Sequence, residues 1–163
     1  MTFRNRRIAV PALLLAALAG CDVVGGDIDN FQRDKLSQAR TQWDGKNVAS
    51  YSYILELECF CAPASELKPV LVTVQNGAAA SLQYWNEDPA KRTPAPAATF
   101  GAYDTVEELF DVVEDAIERD ADVLQVGYDP EFGFPQIINV DYQVGGSDQK
   151  LLFVSEFDST PGA

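Results

Sequence analysis

Cys59 and Cys61 stand one residue apart at the end of an alternating run, Tyr51 to Cys61. Of the side chains in this sequence they are the best suited to covalent or redox chemistry. Their spacing is awkward. Two strand positions two apart are separated by about 6.6 Å at a rise near 3.3 Å per residue, close to the upper limit for a disulfide. A bridge needs a local bend, which Ala62-Pro63 helps to provide. In an oxidising compartment a disulfide is the favoured reading. Buried free thiols, a redox pair and a soft-metal site are the alternatives. Two thiolates suit copper or zinc, but two ligands are too few. The 163 residues contain no histidine, which excludes Ser-His-Asp and Cys-His nucleophile pairs and histidine-containing zinc sites. On an ideal strand Glu56 and Glu58 point away from the sulfurs.

Two further groups carry weaker chemistry. Asp129, Glu131, Asp141 and Asp148 sit on or beside C-terminal turns, where oxygen ligands hold calcium in other proteins. The segment lacks an EF-hand's spacing, so turn capping and surface roles are the plainer reading. Trp85, Phe100, Tyr103, Phe132 and Phe134 lie beside loops. Sharing one exposed patch, they would mark a partner surface; packed under the loops, they are core. No cofactor is expected, and no residue set is complete enough to assign metal ligands.

The elements that must position these residues follow from hydrophobic periodicity. Ile28, Phe31, Leu36, Ala39 and Trp43 have roughly helical spacing and predict a helix from Asp29 to Asp44, stopped at Gly45. On the strand that follows, Tyr51, Tyr53, Leu55, Leu57, Cys59 and Cys61 share the inner face. Val70, Val72 and Val74 alternate in the next strand. Asn76-Gly77 marks a hairpin, and a three-residue loop starting at Gln75 puts the valines on one face with Leu82 and Tyr84. Asn86 to Ala98, with three prolines, is a loop. Thr105 and Glu108 form a capping box ahead of Val106, Leu109, Phe110, Val113, Ala116 and Ile117, the apolar stripe of a second helix. Asp111, Glu114, Asp115 and Glu118 fall mainly on its solvent side. Strands follow at 123–128, 136–142 and 151–157, separated by turns at 129–133 and 145–148. The expected fold is α+β: an antiparallel sheet of about six strands with two helices on one face, in the order α-β-β-β-α-β-β-β.

The N-terminus carries an address. Arg4, Arg6 and Arg7 precede an uncharged run from Ile8 to Gly20. That run falls short of the ~20 apolar residues of a membrane-spanning helix and matches a signal-peptide core. It ends in Leu18-Ala19-Gly20-Cys21, which resembles a bacterial lipobox. The resemblance implies removal of residues 1–20 and acylation of Cys21. Residues 21–28 then form a lipidated cysteine with a short tether, 29–158 a single domain and 159–163 a flexible tail. Cleavage takes three arginines and no acid, leaving 9 basic and 25 acidic residues, net −16. Such a chain is repelled by nucleic acid. The expected location is the bacterial cell envelope, periplasmic or cell-surface, with the lipid on Cys21 as the membrane contact.

Tyr51-x-Tyr53, Cys59-x-Cys61, Val70-x-Val72-x-Val74 with Gly77, Thr105 to Phe110, Tyr128-Asp129-Pro130 leading to Gly133-x-Pro135, Asp141, and Val154-Ser155-x-Phe157 occur in that order. The set resembles a family of uncharacterised bacterial lipoproteins, domain-of-unknown-function family 6174. The resemblance covers most of residues 31–158 and brings no activity with it. The expectation is a non-catalytic binding domain with an envelope protein partner. The alternative is a thiol-based redox or soft-metal-handling protein using Cys59 and Cys61.

Overall fold

Alternation of large apolar side chains makes β1 (Tyr51–Cys59) the middle of the fold. Tyr51, Tyr53, Leu55 and Leu57 are all buried, while Glu56 and Glu58 are exposed. The computed structural model describes residues 24–160. Cys21 and residues 1–20, read as a signal peptide and lipidation site, lie outside them, and residues 159–163 are described only to Thr160. In chain order the other elements are α1 (Val24–Lys46), β2 (Val70–Gln75), β3 (Ala78–Tyr84), α2 (Ala97–Phe100), α3 (Val106–Glu118), β4 (Val123–Tyr128), β5 (Pro135–Asp141) and β6 (Lys150–Asp158). All strands join one antiparallel sheet, ordered β3-β2-β1-β6-β5-β4. The α+β expectation holds, with α1 and α3 packed together on one face.

Helix α1 begins at Val24, five residues before the expected Asp29, and takes in residues 24–28 of the segment read as a tether. Leu36, Ala39 and Trp43 point into the core. Helix α3 buries Val106, Leu109, Phe110, Val113, Ala116 and Ile117. Each such side chain contributes roughly 1.5–3 kcal/mol on burial, alanine less. Thr105 Oγ1 accepts the Glu108 N–H at 3.2 Å, as a capping box requires. The Glu108 carboxylate reaches one residue further back than expected and accepts the Asp104 N–H at 3.1 Å.

The β2–β3 hairpin corrects the expected three-residue loop. Gln75 pairs with Ala78 and Val74 with Ala79, so the loop is the two residues Asn76-Gly77. Both have positive φ, 52° and 77°, as a type I′ turn needs. A bulge between Thr73 and Val74 then shifts the register, so Val72 faces Leu82 and Val70 faces Tyr84. The valines share a face with Leu82 and Tyr84 after all, but an extra residue in the ladder achieves it. A second bulge lies where β1 passes from Ser52 to Ile54 opposite β6. Glu156 there has φ 50°. Without the bulge Phe157 would join Phe153 on the outer face. With it, Phe157 turns inward, its ring 4.6 Å from Phe134 and 5.6 Å from Tyr51.

The 86–98 segment contains a 3-10 turn, Pro89–Lys91, and folds back along β3. Tyr84 N–H bonds to Thr93 O, and Ala95 N–H to Leu82 O. This covers part of that sheet edge with a proline-rich stretch that accepts no further strand.

Register defines two poles. Cys59 lies beside Lys150, Lys150 beside Val140, and Val140 beside Leu124. The end of β1 and the starts of β4 and β6 therefore share one pole. Helix α1 runs the length of β4: Gln32 Nε2 donates to Leu124 O at this pole, and Gln42 Nε2 to Pro130 O and Glu131 O at the other.

Candidate functional site

Tyr51 and Tyr53 are positioned by strand alternation and take part in a polar network within the core. Tyr51 Oη accepts the Val106 N–H at 2.8 Å and donates to Glu107 Oε2 at 3.3 Å. Trp43 Nε1 donates to the other oxygen of Glu107 at 3.0 Å. Tyr53 Oη donates to Tyr103 O at 2.7 Å. Strand β1 thereby holds the entry to α3, whose first N–H groups have no partner inside the helix. Burial pushes the Tyr51 and Tyr53 phenols well above their ordinary value; at Tyr51 the Val106 N–H acts in the opposite direction. Their exposures of 1% and 0% make them positioning groups for the fold.

Cys59 and Cys61 lie at disulfide distance, with Cα atoms 5.2 Å apart. The chain bends at Phe60, where β1 stops. Cys59 packs against the core, whereas Cys61 is exposed. The expectation that both sulfurs lie on the inner face thus holds for Cys59 alone, because the extended geometry ends one residue later. Phe60, held out between them, is 80% exposed. A surface hollow of about 320 Å³ adjoins the pair, lined by Glu58, Cys59, Phe60, Gln149 and Leu151.

The four acids are not brought together. Asp129, at one pole, accepts the Glu131 and Phe132 N–H groups on Oδ1, which makes it a turn cap. Asp141 does the same for the Gln143 N–H. Glu131 is exposed on its turn. Asp148 Oδ1 is buried in the β5–β6 loop with no hydrogen-bond partner among the described residues. Among those residues no three Cys, Asp or Glu side chains are grouped to hold a metal.

The loop aromatics do not form one exposed patch. Phe100, Tyr103 and Phe134 are buried. Phe132 packs against Phe134 and Phe157. Trp85 is 38% exposed and stacks under Arg92, whose guanidinium carbon is 4.4 Å from the ring centre.

Two clusters escape sequence reasoning. Arg40 Nη2 donates to Asp111 Oδ1 and Glu114 Oε2, each at 2.8 Å, and ties α1 to α3. Tyr142 Oη donates to Asp115 Oδ2 at 2.6 Å, with Arg119 stacked 3.9 Å over the Tyr142 ring. The Tyr142 bond, with Arg119 adding to it, holds the Asp115 carboxyl below its ordinary range. The acids Asp111, Glu114 and Asp115 thus lie on the solvent side of α3, as expected, and these three carboxylates are also engaged in surface ion pairs and hydrogen bonds. The available signal was the even spread of acids along that side, which is equally the mark of a solvated face.

Among the described residues no helix packs on the sheet's outer face. Leu71, Leu151, Phe153 and Ile137 lie there, with Ile137 41% exposed. Glu56 neighbours Phe153, and Glu58 neighbours Leu151. Asp141 is on the same side, and none of the outward strand positions is basic.

A family model described as "Family of unknown function (DUF6174)" matches residues 35–158. No curated protein and no solved structure matches the chain.

Proposed function

We propose that this chain, which belongs to the family of unknown function DUF6174, is a non-catalytic interaction domain of the bacterial cell envelope. Acyl chains on Cys21 tie it to a membrane. Two or more chains give lasting attachment, at about 0.8 kcal/mol per buried CH₂. The observation that carries the interaction reading is the outer sheet face. Its apolar row of Leu71, Phe153 and Ile137 is covered by no helix among the described residues, and its acids are Glu56, Glu58 and Asp141. Those features suit an envelope protein that presents basic side chains beside apolar ones.

The test has two arms. Metabolic labelling with palmitate should acylate the chain, and Cys21→Ser should release it from membranes. A photo-crosslinking side chain at Ile137 should then give a defined crosslinked species in cells, while one at Glu118 on the helical layer should not. A Cys21→Ser chain that stays membrane-bound would remove the anchor. Identical crosslinking from both positions would remove the sheet-face interaction.

The exposure of Cys61 favours one second reading, thiol exchange. A thiolate of a partner dithiol attacks Cys61 Sγ and the Cys59 thiolate leaves. The partner's second thiolate then attacks the partner sulfur of the mixed disulfide, expelling the Cys61 thiolate, so the pair gains two electrons and the partner is oxidised to its own disulfide. Mass spectrometry after mild thiol treatment decides: a pair that stays bridged fails as a redox centre. In the soft-metal version Cys59 and Cys61 would bind Cu(I) or Zn²⁺ once reduced, and failure to bind either ion ends it.

A further inference from the structure

The fold gathers its most exposed apolar side chains at one end. Phe31, Phe60 and Val144 are 58%, 80% and 65% exposed, and no other large apolar side chain among residues 30–160 is more than half exposed. Phe31 lies one residue before Gln32, which bonds to Leu124 O. Phe60 follows Cys59, which shares a ladder row with Lys150. Val144 sits in the β5–β6 loop, where its N–H bonds to Asp122 Oδ2 just before β4. Leu124, Val140, Lys150 and Cys59 are successive positions across the sheet. The three side chains therefore occupy one pole, spread over three strand spacings, about 14 Å, plus the helical layer.

The described chain enters at this pole: α1 starts at Val24, three positions after Cys21 in the sequence, and Phe31 lies seven residues further on, about 10 Å as helix. The polar interface of a bilayer leaflet is about 5–8 Å deep. An acylated Cys21 thus keeps this pole, and not the other, close to the headgroups.

Charge acts in the same direction. The far pole holds Asp44, Asp104, Glu107, Asp129, Glu131 and Asp158 around the cation Lys46. Anionic headgroups repel it. The near pole is mixed: Lys150 and Arg119 stand among Glu58, Asp120, Asp122 and Asp148. Lys35 Nζ lies 5.5 Å over the Phe31 ring, an arrangement that lets a ring sit at the headgroup level with its cation beside phosphate.

We infer that the pole bearing Phe31, Phe60 and Val144 rests on the lipid surface, with these side chains seated in the headgroup interface. The inference rests on the lipid anchor at Cys21. It gives the Cys59–Cys61 bend a mechanical role: it holds Phe60 outward as a membrane contact. It also stands the strands upright and leaves the outer sheet face open sideways to a partner.

The test uses the acylated full chain, reconstituted into phosphatidylethanolamine–phosphatidylglycerol vesicles carrying shallow dibrominated acyl chains. Bromine quenches indole only at contact range. In a Trp85→Phe background, leaving the buried Trp43 as a constant signal, Phe60→Trp should be quenched several-fold more than Glu131→Trp at the far pole. Adding Val144→Ser and Phe31→Ser should weaken the quenching. Chains that float with the vesicles but show no quenching of Phe60→Trp stand off the surface, which overturns the contact and leaves the anchor intact. Equal quenching at both poles also overturns it. Acylated chains that fail to float overturn the anchor and the contact together.

Discussion

The Tyr51 hydroxyl accepts the Val106 N–H at 2.8 Å, so a strand side chain closes the first turn of α3 from outside the helix. The same hydroxyl donates to Glu107, which also takes the Trp43 indole N–H. One carboxylate thus links α1, β1 and α3.

Tyr51→Phe leaves the Val106 N–H without its acceptor, and Tyr53→Phe leaves the Tyr103 carbonyl without its donor. Each should lower stability by about 1–3 kcal/mol. Urea denaturation should show a lower midpoint with an unchanged slope. Wild-type midpoints in both variants would mean that this network holds nothing together.

Two glycines separate backbone strain from steric clash. Gly77 has φ 77° with open space around it, so Gly77→Ala should cost about 1–2 kcal/mol from conformation alone. Gly133 has φ 88°, and a Cβ there would lie 2.7 Å from Ala39 O and 2.9 Å from Gln42 Cβ. Gly133→Ala should be the more damaging, because it also pushes α1 off the β4–β5 turn. Thermal melts of the two variants rank them, and the reverse order would contradict this packing.

Four phenols should titrate late. Burial raises Tyr51, Tyr53 and Tyr142, and pushes Tyr128 up to about 12. A folded pKa above the unfolded value, about 10, favours folding while the phenol is neutral. This contribution is complete below about pH 10 and disappears as the pH climbs towards the folded values. The phenolate absorbance of these four rings during an alkaline titration should therefore appear only well above pH ~10, together with unfolding. A single stage at the ordinary value would show that these rings are not buried.

Asp115 behaves in the opposite sense. The hydrogen bond from Tyr142 lowers its folded pKa, so its contribution is present above the unfolded value, about 3.9, and is lost as pH falls through the folded one. Carboxyl NMR should show Asp115 titrating low in the wild type and moving upwards in Tyr142→Phe, with Arg119 keeping part of the shift. An Asp115 signal indifferent to Tyr142→Phe would place the cause elsewhere.

The Cys59–Cys61 pair closes a very short loop. In the chain-entropy treatment a bridge around about three residues contributes roughly 1.5 kcal/mol. Cys59→Ser with Cys61→Ser should therefore lower the denaturation midpoint modestly and leave the fold intact. Loss of the folded state in that double variant would give the pair a far larger structural role.

Much of the domain was legible because burial imposes a period. Tyr51 to Leu57, Val70 to Val74 and the stripe from Val106 to Ile117 declare which side is inward, since a misplaced side chain there would expose several apolar groups at once. Thr105 with Glu108 marked a helix start through local hydrogen bonding. The candidate site was less legible. Both cysteines read as inward from alternation, yet the strand ends at Cys59, and the bend at Phe60 sends Cys61 to the surface. The hairpin was misread for a related reason: alternation demanded that the valines face Leu82, and a longer loop and a bulge satisfy that demand equally.

By itself the sequence determined the element order, the fold class and the inward set of most elements, all of which follow from contacts within one element or between chain neighbours. Tertiary structure alone decided three things. The β6 bulge turned Phe157 into the core. Arg40 joined α1 to α3 across 71 and 74 residues of chain. The strand register placed Phe31, Phe60 and Val144 at one pole. Each depends on residues distant in sequence meeting at a distance set by packing, and residue periodicity carries no record of that distance.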